Sequence, residues 1–193
     1  MGSRDPGDVD AYERDLAKVT IGGPTPLTGP IEISEYDPGW PALYEREAAR
    51  IRSILGDRVV RLEHVGSTSV PGLAAKPIID VGLEVPDPAA EEEYVPDMEA
   101  AGYVLRIREP DWFEHRVFKG PDTRVNLHVF PAGCEELDRM LLFRDRLRTD
   151  AVARERYAAA KRELAGREWR YMQQYADAKT AVVQEIMAEA AAD

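Results

Sequence analysis

The sequence predicts a mixed α/β domain, an α+β arrangement in which helices flank a sheet of four or five strands and a helical cap closes the C-terminal end. Three observations carry this. Two strand-like runs, 59–65 and 77–85, bracket a turn rich in glycine and hydroxyl groups. Residues 124–130 alternate polar and apolar, the period of a half-buried strand. From Glu135 onward the chain holds one glycine, Gly166, and no proline, and it reads as helix over about 135–148, 150–165 and 167–190.

Residues 1–30 read as a lead-in, partly flexible or laid across the domain as a strap. A short helix fits 12–19, but Gly22, Gly23, Pro24, Pro26, Gly29 and Pro30 interrupt regular structure after it. The domain proper spans 31–193. Residues 31–33 are a brief strand candidate. Asp37, Pro38 and Pro41 mark a helix start, with Asp37 as the cap. Leu43, Ala48, Ile51, Ile54 and Leu55 supply that helix's apolar stripe, and Gly56 ends it. Between the two strands of the opening pair, 70–73 can form a helical turn. A helix is expected at 89–101, acidic at its start where negative charge is favoured. A strand at 102–107, a hairpin partner at 112–118 and the alternating strand at 124–130 complete the sheet.

The chain has 193 residues, enough for one domain with a full core. Its net charge of −11 repels phosphate backbones, so nucleic acid is not an expected partner. A small anionic nucleotide can still bind where cations gather. No apolar run reaches membrane-spanning length, and the polar, acidic start has no signal-peptide character. One cysteine, Cys134, allows no intrachain disulfide and is read as a small residue near a helix start. A cytoplasmic location is the expectation.

The chemistry centres on 64–80. Gly66 lets backbone approach a phosphate, and Ser67, Thr68 and Ser69 offer hydroxyl donors. Lys76 lies between this turn and the next strand, on which Asp80, Gly82 and Glu84 share a face. A carboxylate at Asp80, within an apolar run, needs a partner. Asp80 and Glu84 are read as approaching one Mg2+, which prefers one or two carboxylates plus phosphate oxygens. Asn126 and His128 share a strand face. His128 can ligate a metal, donate to a phosphate or act as a base, and His64 can aim at the same pocket. In the C-terminal helices, Tyr157 with Lys161 and Tyr175 with Lys179 are four apart and share a face, as are Arg144 and Arg148. Spacing alone reads the tyrosine–lysine pairs as core aromatics with snorkelling lysines. There is no P-loop, no dinucleotide-binding glycine fingerprint and no hydrolase elbow.

The runs Tyr36-Asp37-Pro38-x-Trp40-Pro41, His64-Val65-Gly66-Ser67-Thr68-Ser69-Val70-Pro71-Gly72-Leu73 and Lys76-Pro77-Ile78-Ile79-Asp80 resemble the GrpB (UPF0157) family. So do Asn126-Leu127-His128-Val129, the 143–148 helix and both tyrosine–lysine pairs. The resemblance covers about 30–190. It implies a polymerase-beta-like nucleotidyltransferase fold, with Gly66 and Ser67 as the phosphate turn and Asp80 as the first carboxylate. The second carboxylate is expected at Gly82 and is missing, with Glu84 as its candidate substitute; the third position falls at Asn126 or His128. The implied activity uses ATP and Mg2+ to modify a small-molecule acceptor. Asp80, Glu84 and His128 are the catalytic candidates, and Asp80 and Glu84 hold the metal. Ser67, Lys76, Arg144, Lys161 and Lys179 hold phosphates, while Tyr157 and Tyr175 are placed to stack on a base. Similar domains fused to dephospho-CoA kinase imply a second possibility: a degenerate binding module that assists a protein partner.

Overall fold

A computed structural model of the chain describes residues 9–190. The stretches 1–8 and 191–193, including part of the lead-in expected to be flexible, lie outside the described residues.

Five strands form one mixed sheet in the order β1-β2-β5-β4-β3. β1 (Arg61–Val65) pairs antiparallel with β2 (Ile79–Val85), and β2 runs parallel to β5 (Val125–Pro131). β4 (His115–Lys119) pairs antiparallel with both β5 and β3 (Val104–Glu109). The parallel register sets Asp80 opposite Asn126 and Gly82 opposite His128. Ile79, Val81, Leu83 and Val85 enter the main core against α2 (Trp40–Leu55) and α3 (Val95–Ala100). Alternation therefore turns Asp80, Gly82 and Glu84 to the other face.

That second face is covered by α4 (Glu135–Thr149), whose Leu137 and Leu141 pack with Val65 and Phe130. Helices α5 (Ala151–Ala165), α6 (Met172–Ala178) and α7 (Thr180–Ala190) complete the cap. Val70 and Leu73 join Leu147, Tyr157 and Ile186 in a separate apolar cluster, so the loop before β2 is anchored to the cap. Asp150 caps α5 by accepting the Val152 and Ala153 amides.

Helix α1 (Val9–Val19) buries Tyr12 and Leu16 against Tyr171, and Tyr12 donates to Asp177 at 2.7 Å. After α1, Thr20 forms a bridge to Ile107, and Leu27 donates its amide to the Arg170 carbonyl.

Several local expectations shift. Residues 31–33 form no strand; one bridge, Ser34 to Ala75, stands there instead. Asp37 does not cap α2: it accepts the Gly39 amide in the preceding turn, and Gly39 is the capping residue. The helical turn between β1 and β2 is at Ser67–Ser69, one turn earlier than 70–73. Pro96 splits the expected 89–101 helix into a short turn, Glu91–Glu93, and α3, because proline belongs in a helix's first turn. The last helix starts only at Met172 and breaks at Lys179.

Candidate active site

A cleft of about 580 Å3 opens on the sheet face that carries Asp80. Asp80, Asn126, His128, Lys119 and Glu109 line it from the strands, Gly66, Ser67 and Thr68 from the β1–β2 turn, and Lys76, Lys161, Tyr175 and Lys179 from the opposite side. Leu16, Val19 and Thr20 of the lead-in close over part of it.

Gly66 has φ +69°, and a Cβ there would run into the Asp80 carboxylate. Only glycine lets the turn lie this close to the acid. Asp80 accepts from Asn126 Nδ2 at 2.7 Å, and His128 Nε2 lies 3.8 Å from the same oxygen. Burial pushes the Asp80 pKa up, but His128, Asn126 and Lys76 outweigh it and hold the group below the usual carboxylate value. Thr68 Oγ1 donates to the Ile78 carbonyl and meets His64, so its hydroxyl is already engaged. Ser69 donates to the Gly66 carbonyl, and Arg148 holds the Ser69 carbonyl at 2.8 Å. Ser67 is the hydroxyl of this turn that lines the cleft without a hydrogen-bond partner among the described residues.

The lysines form a distinct group. Lys161 is 2% exposed; its Nζ donates to the Ala74 carbonyl and sits 4.8 Å from the Tyr157 ring. Lys76 and Lys179 lie over one ring, Tyr175, at 5.1 and 4.9 Å. Burial, then the Lys179 charge, lowers Lys76 to about 8 and Lys161 to about 7. Among the described residues none of the three has a carboxylate partner, whereas most arginines here are paired, as Arg50 is with Asp122 and Arg116 with Glu91.

A third group comes from the β3–β4 hairpin, whose register puts Glu109 opposite His115. His115 Nδ1 meets Glu109 Oε2 at 2.9 Å, and His115 Nε2 meets His128 Nδ1 at 3.1 Å. Phe130 stacks on His115 at 4.7 Å, and Trp112 stands edge-on to it at 4.9 Å. Burial lowers the His115 pKa to about 4, so the ring is neutral near pH 7. Glu109, Lys119 and the pairing role of His115 escape the sequence reading. The hairpin register is the signal that finds Glu109, since strand pairing sets it against a histidine whose own strand neighbours His128.

Other candidates lie elsewhere. Glu84 is 3% exposed and accepts the Cys134 amide at the start of α4. It stands four residues from Asp80, about 13 Å along the strand. A Cβ on Gly82, between them, would run into Leu137. Arg144 pairs with Glu63 and Asp145 and donates to the His64 carbonyl, outside the cleft. Tyr157 meets Lys161 and the Phe143 edge rather than the cleft. His64 turns away, stacked on Tyr44 at 4.6 Å, and burial lowers its pKa to about 4. Cys134 is buried, and burial raises its thiol pKa. Among the described residues no cluster of three His, Cys, Asp or Glu side chains is arranged to hold a metal. The donor set therefore does not fit a metal pair. One carboxylate, Asp80, is the group here that would hold a single Mg2+ brought in on phosphate oxygens.

Residues 30–189 match the family model described as GrpB protein. A UPF0157 protein of Halalkalibacterium halodurans is 61% identical over 178 residues, covering 92% of this chain and 91% of its own. The crystal structure of GrpB from Enterococcus faecalis aligns with a TM-score of 0.72 at 32% identity, covering 82% of this chain and 96% of that one. The Cid1 poly(U) polymerase aligns with a TM-score of 0.50 at 10% identity, over 68% of this chain and 44% of that one, a likeness of fold. A dephospho-CoA kinase of Mycolicibacterium paratuberculosis is 32% identical over 69% of this chain but only 39% of its own length. Among the described residues no helix is long and apolar enough to cross a membrane.

Proposed function

The chain belongs to the GrpB family and has the nucleotidyltransferase-like fold; we propose that its cleft is a small-molecule nucleotidyl-transfer site using ATP with Mg2+. The observation that carries the proposal is the trio Lys76, Lys161 and Lys179, three clustered amines without acid partners in a chain of net charge −11. Burial and the neighbouring Lys179 charge lower the pKa of Lys76 and Lys161, and a multiply charged anion such as a triphosphate tail would stabilise their charged forms. Ser67 adds a hydroxyl donor. Asp80 would hold a magnesium ion carried on the phosphates, and that ion would supply charge stabilisation to the phosphate oxygens. His128 Nε2 then receives the proton of the acceptor hydroxyl as that oxygen bonds the α-phosphorus and pyrophosphate leaves toward the lysines. Tyr175, held between Lys76 and Lys179, orients those amines rather than stacking on a base.

The test is calorimetry of ATP with and without Mg2+ on the wild type and on Asp80→Ala. Magnesium-dependent heat in the wild type that is lost in the variant is expected. No heat in either protein overturns the nucleotide reading.

A second reading is favoured by one observation, the filling of the Gly82 space by Leu137. The domain is then a phosphate-binding module that assists a partner, and the dephospho-CoA kinase relative suggests the kind of partner. ATP heat that is equal in wild type and Asp80→Ala, and indifferent to Mg2+, selects that reading.

A further inference from the structure

We infer that Glu109 and His115 are positioning residues that hold His128 in the tautomer with hydrogen on Nδ1, leaving the Nε2 lone pair open to the cleft. The inference rests on the reading of His128 as proton acceptor in the proposed transfer, and it names what prepares that group.

The direction of the chain follows from its one fixed end. An ionised carboxylate can only accept, so Glu109 takes the Nδ1 hydrogen of His115 at 2.9 Å. A neutral imidazole with hydrogen on Nδ1 has its acceptor at Nε2. That atom lies 3.1 Å from His128 Nδ1, which must therefore donate. His128 Nε2 is left without a hydrogen, facing Asp80 at 3.8 Å, too far for a hydrogen bond.

The setting keeps this order. Glu109 and His115 are both buried, so neither can exchange its partner for water at little cost. The His115 and His128 rings lie within 11° of parallel with centroids 5.3 Å apart, edge to edge as an in-plane hydrogen bond requires, and Phe130 stacks on His115. At the hairpin turn Phe113 and Glu114 both sit at positive φ, 53° and 48°. This uncommon backbone shape carries the chain from Trp112, edge-on to His115, into β4.

Nitrogen-15 spectra of histidine-labelled full-length protein read which ring nitrogen carries hydrogen, and they need no ligand or turnover. At about pH 9, above the imidazole range, the wild type is expected to show hydrogen on Nδ1 of both His115 and His128. His115→Phe keeps a ring between Trp112 and Phe130 but removes the acceptor, and His128 is expected to move toward the Nε2-hydrogen form that free imidazole prefers. A wild-type His128 carrying hydrogen on Nε2 overturns the inference and needs no variant. A His128 tautomer unchanged in His115→Phe overturns the role of His115. The proposed nucleotide binding is judged separately by ATP calorimetry: His115→Phe leaves the lysines in place, so ATP heat persists in it. Loss of ATP heat in the wild type rejects the transfer reading while the spectra still decide the tautomer.

Discussion

The two sides of the cleft are built on opposite principles. On the β2 side the polar groups are few and already satisfied: Asp80 holds Asn126, Glu84 caps α4, and Leu137 takes the space a second acid would fill. On the cap side three amines are crowded together and left without acids. The first side is satisfied as it stands, whereas the second leaves three amines without acids, which is the feature the proposed polyanion would answer.

The largest effect comes from forcing the missing acid back. Gly82→Asp sets a charge against Leu137 and Val65, and urea unfolding should show a loss of about 3–5 kcal/mol, the scale of an uncompensated buried charge. Adding Leu137→Ala should return part of it by opening room and admitting water. A Gly82→Asp protein of wild-type stability would mean that the β2 side is not closed as described.

Next is Lys161→Met. Losing one charge-assisted contact of about 1.5–3 kcal/mol should weaken ATP binding about tenfold to hundredfold in calorimetry. Its pH signature is sharper. Folding lowers the Lys161 pKa from 10.5 to about 7, so between those values the unfolded chain holds a proton the folded chain lacks. Unliganded stability contributed by this group therefore rises with pH across the window and falls as pH drops through 7. An anion prefers the charged amine, so ATP affinity falls as pH climbs from 7 to 9 and binding takes up protons. Opposite slopes for stability and affinity, both flattened in Lys161→Met, are the expected result; parallel slopes would remove Lys161 from the site.

Smaller still is Glu84→Gln. Weakening its bond to the Cys134 amide should cost roughly 1–2 kcal/mol of stability, while the Mg2+ dependence of ATP binding stays as in the wild type. A changed magnesium dependence would restore Glu84 as a metal ligand. The least change is expected for Tyr12→Phe, which removes the bond to Asp177 for about 1 kcal/mol and should leave ATP affinity within about threefold, since α6 keeps its other packing.

Much of this was legible in the residues. Strand alternation put Asp80 on one face of its strand and Asn126 with His128 on one face of theirs, the parallel β2–β5 register joins the two, and Gly66 marked the close turn. Four-residue spacing paired Tyr157 with Lys161 and Tyr175 with Lys179, although only the folded cap shows that Tyr175 lies under Lys76 as well as Lys179. What stayed hidden depends on contacts between distant segments. The distance from Asp80 to Glu84 follows from strand rise, but Leu137 arriving over Gly82 depends on where α4 lands. Arg144 looks like a phosphate ligand until Glu63 and Asp145 are found beside it. The lead-in precedes the 30–189 family match, yet Leu16 and Val19 line the cleft; a strap across the domain was one expectation for this stretch, but nothing in its residues placed it over the cleft.

The bridge from Thr20 to Ile107, with the Ile21 amide donating to the Arg106 carbonyl, has a consequence for how the molecule meets its own copies. β3 is the last strand of the sheet on that side, and an uncovered border strand offers its backbone to any passing strand. The lead-in occupies part of that border with a short segment that turns away at once through Gly22 and Gly23, both at positive φ, and then meets Pro24, which has no N–H to give a ladder. The segment that walls the cleft thereby also guards the sheet against growing from one molecule into the next.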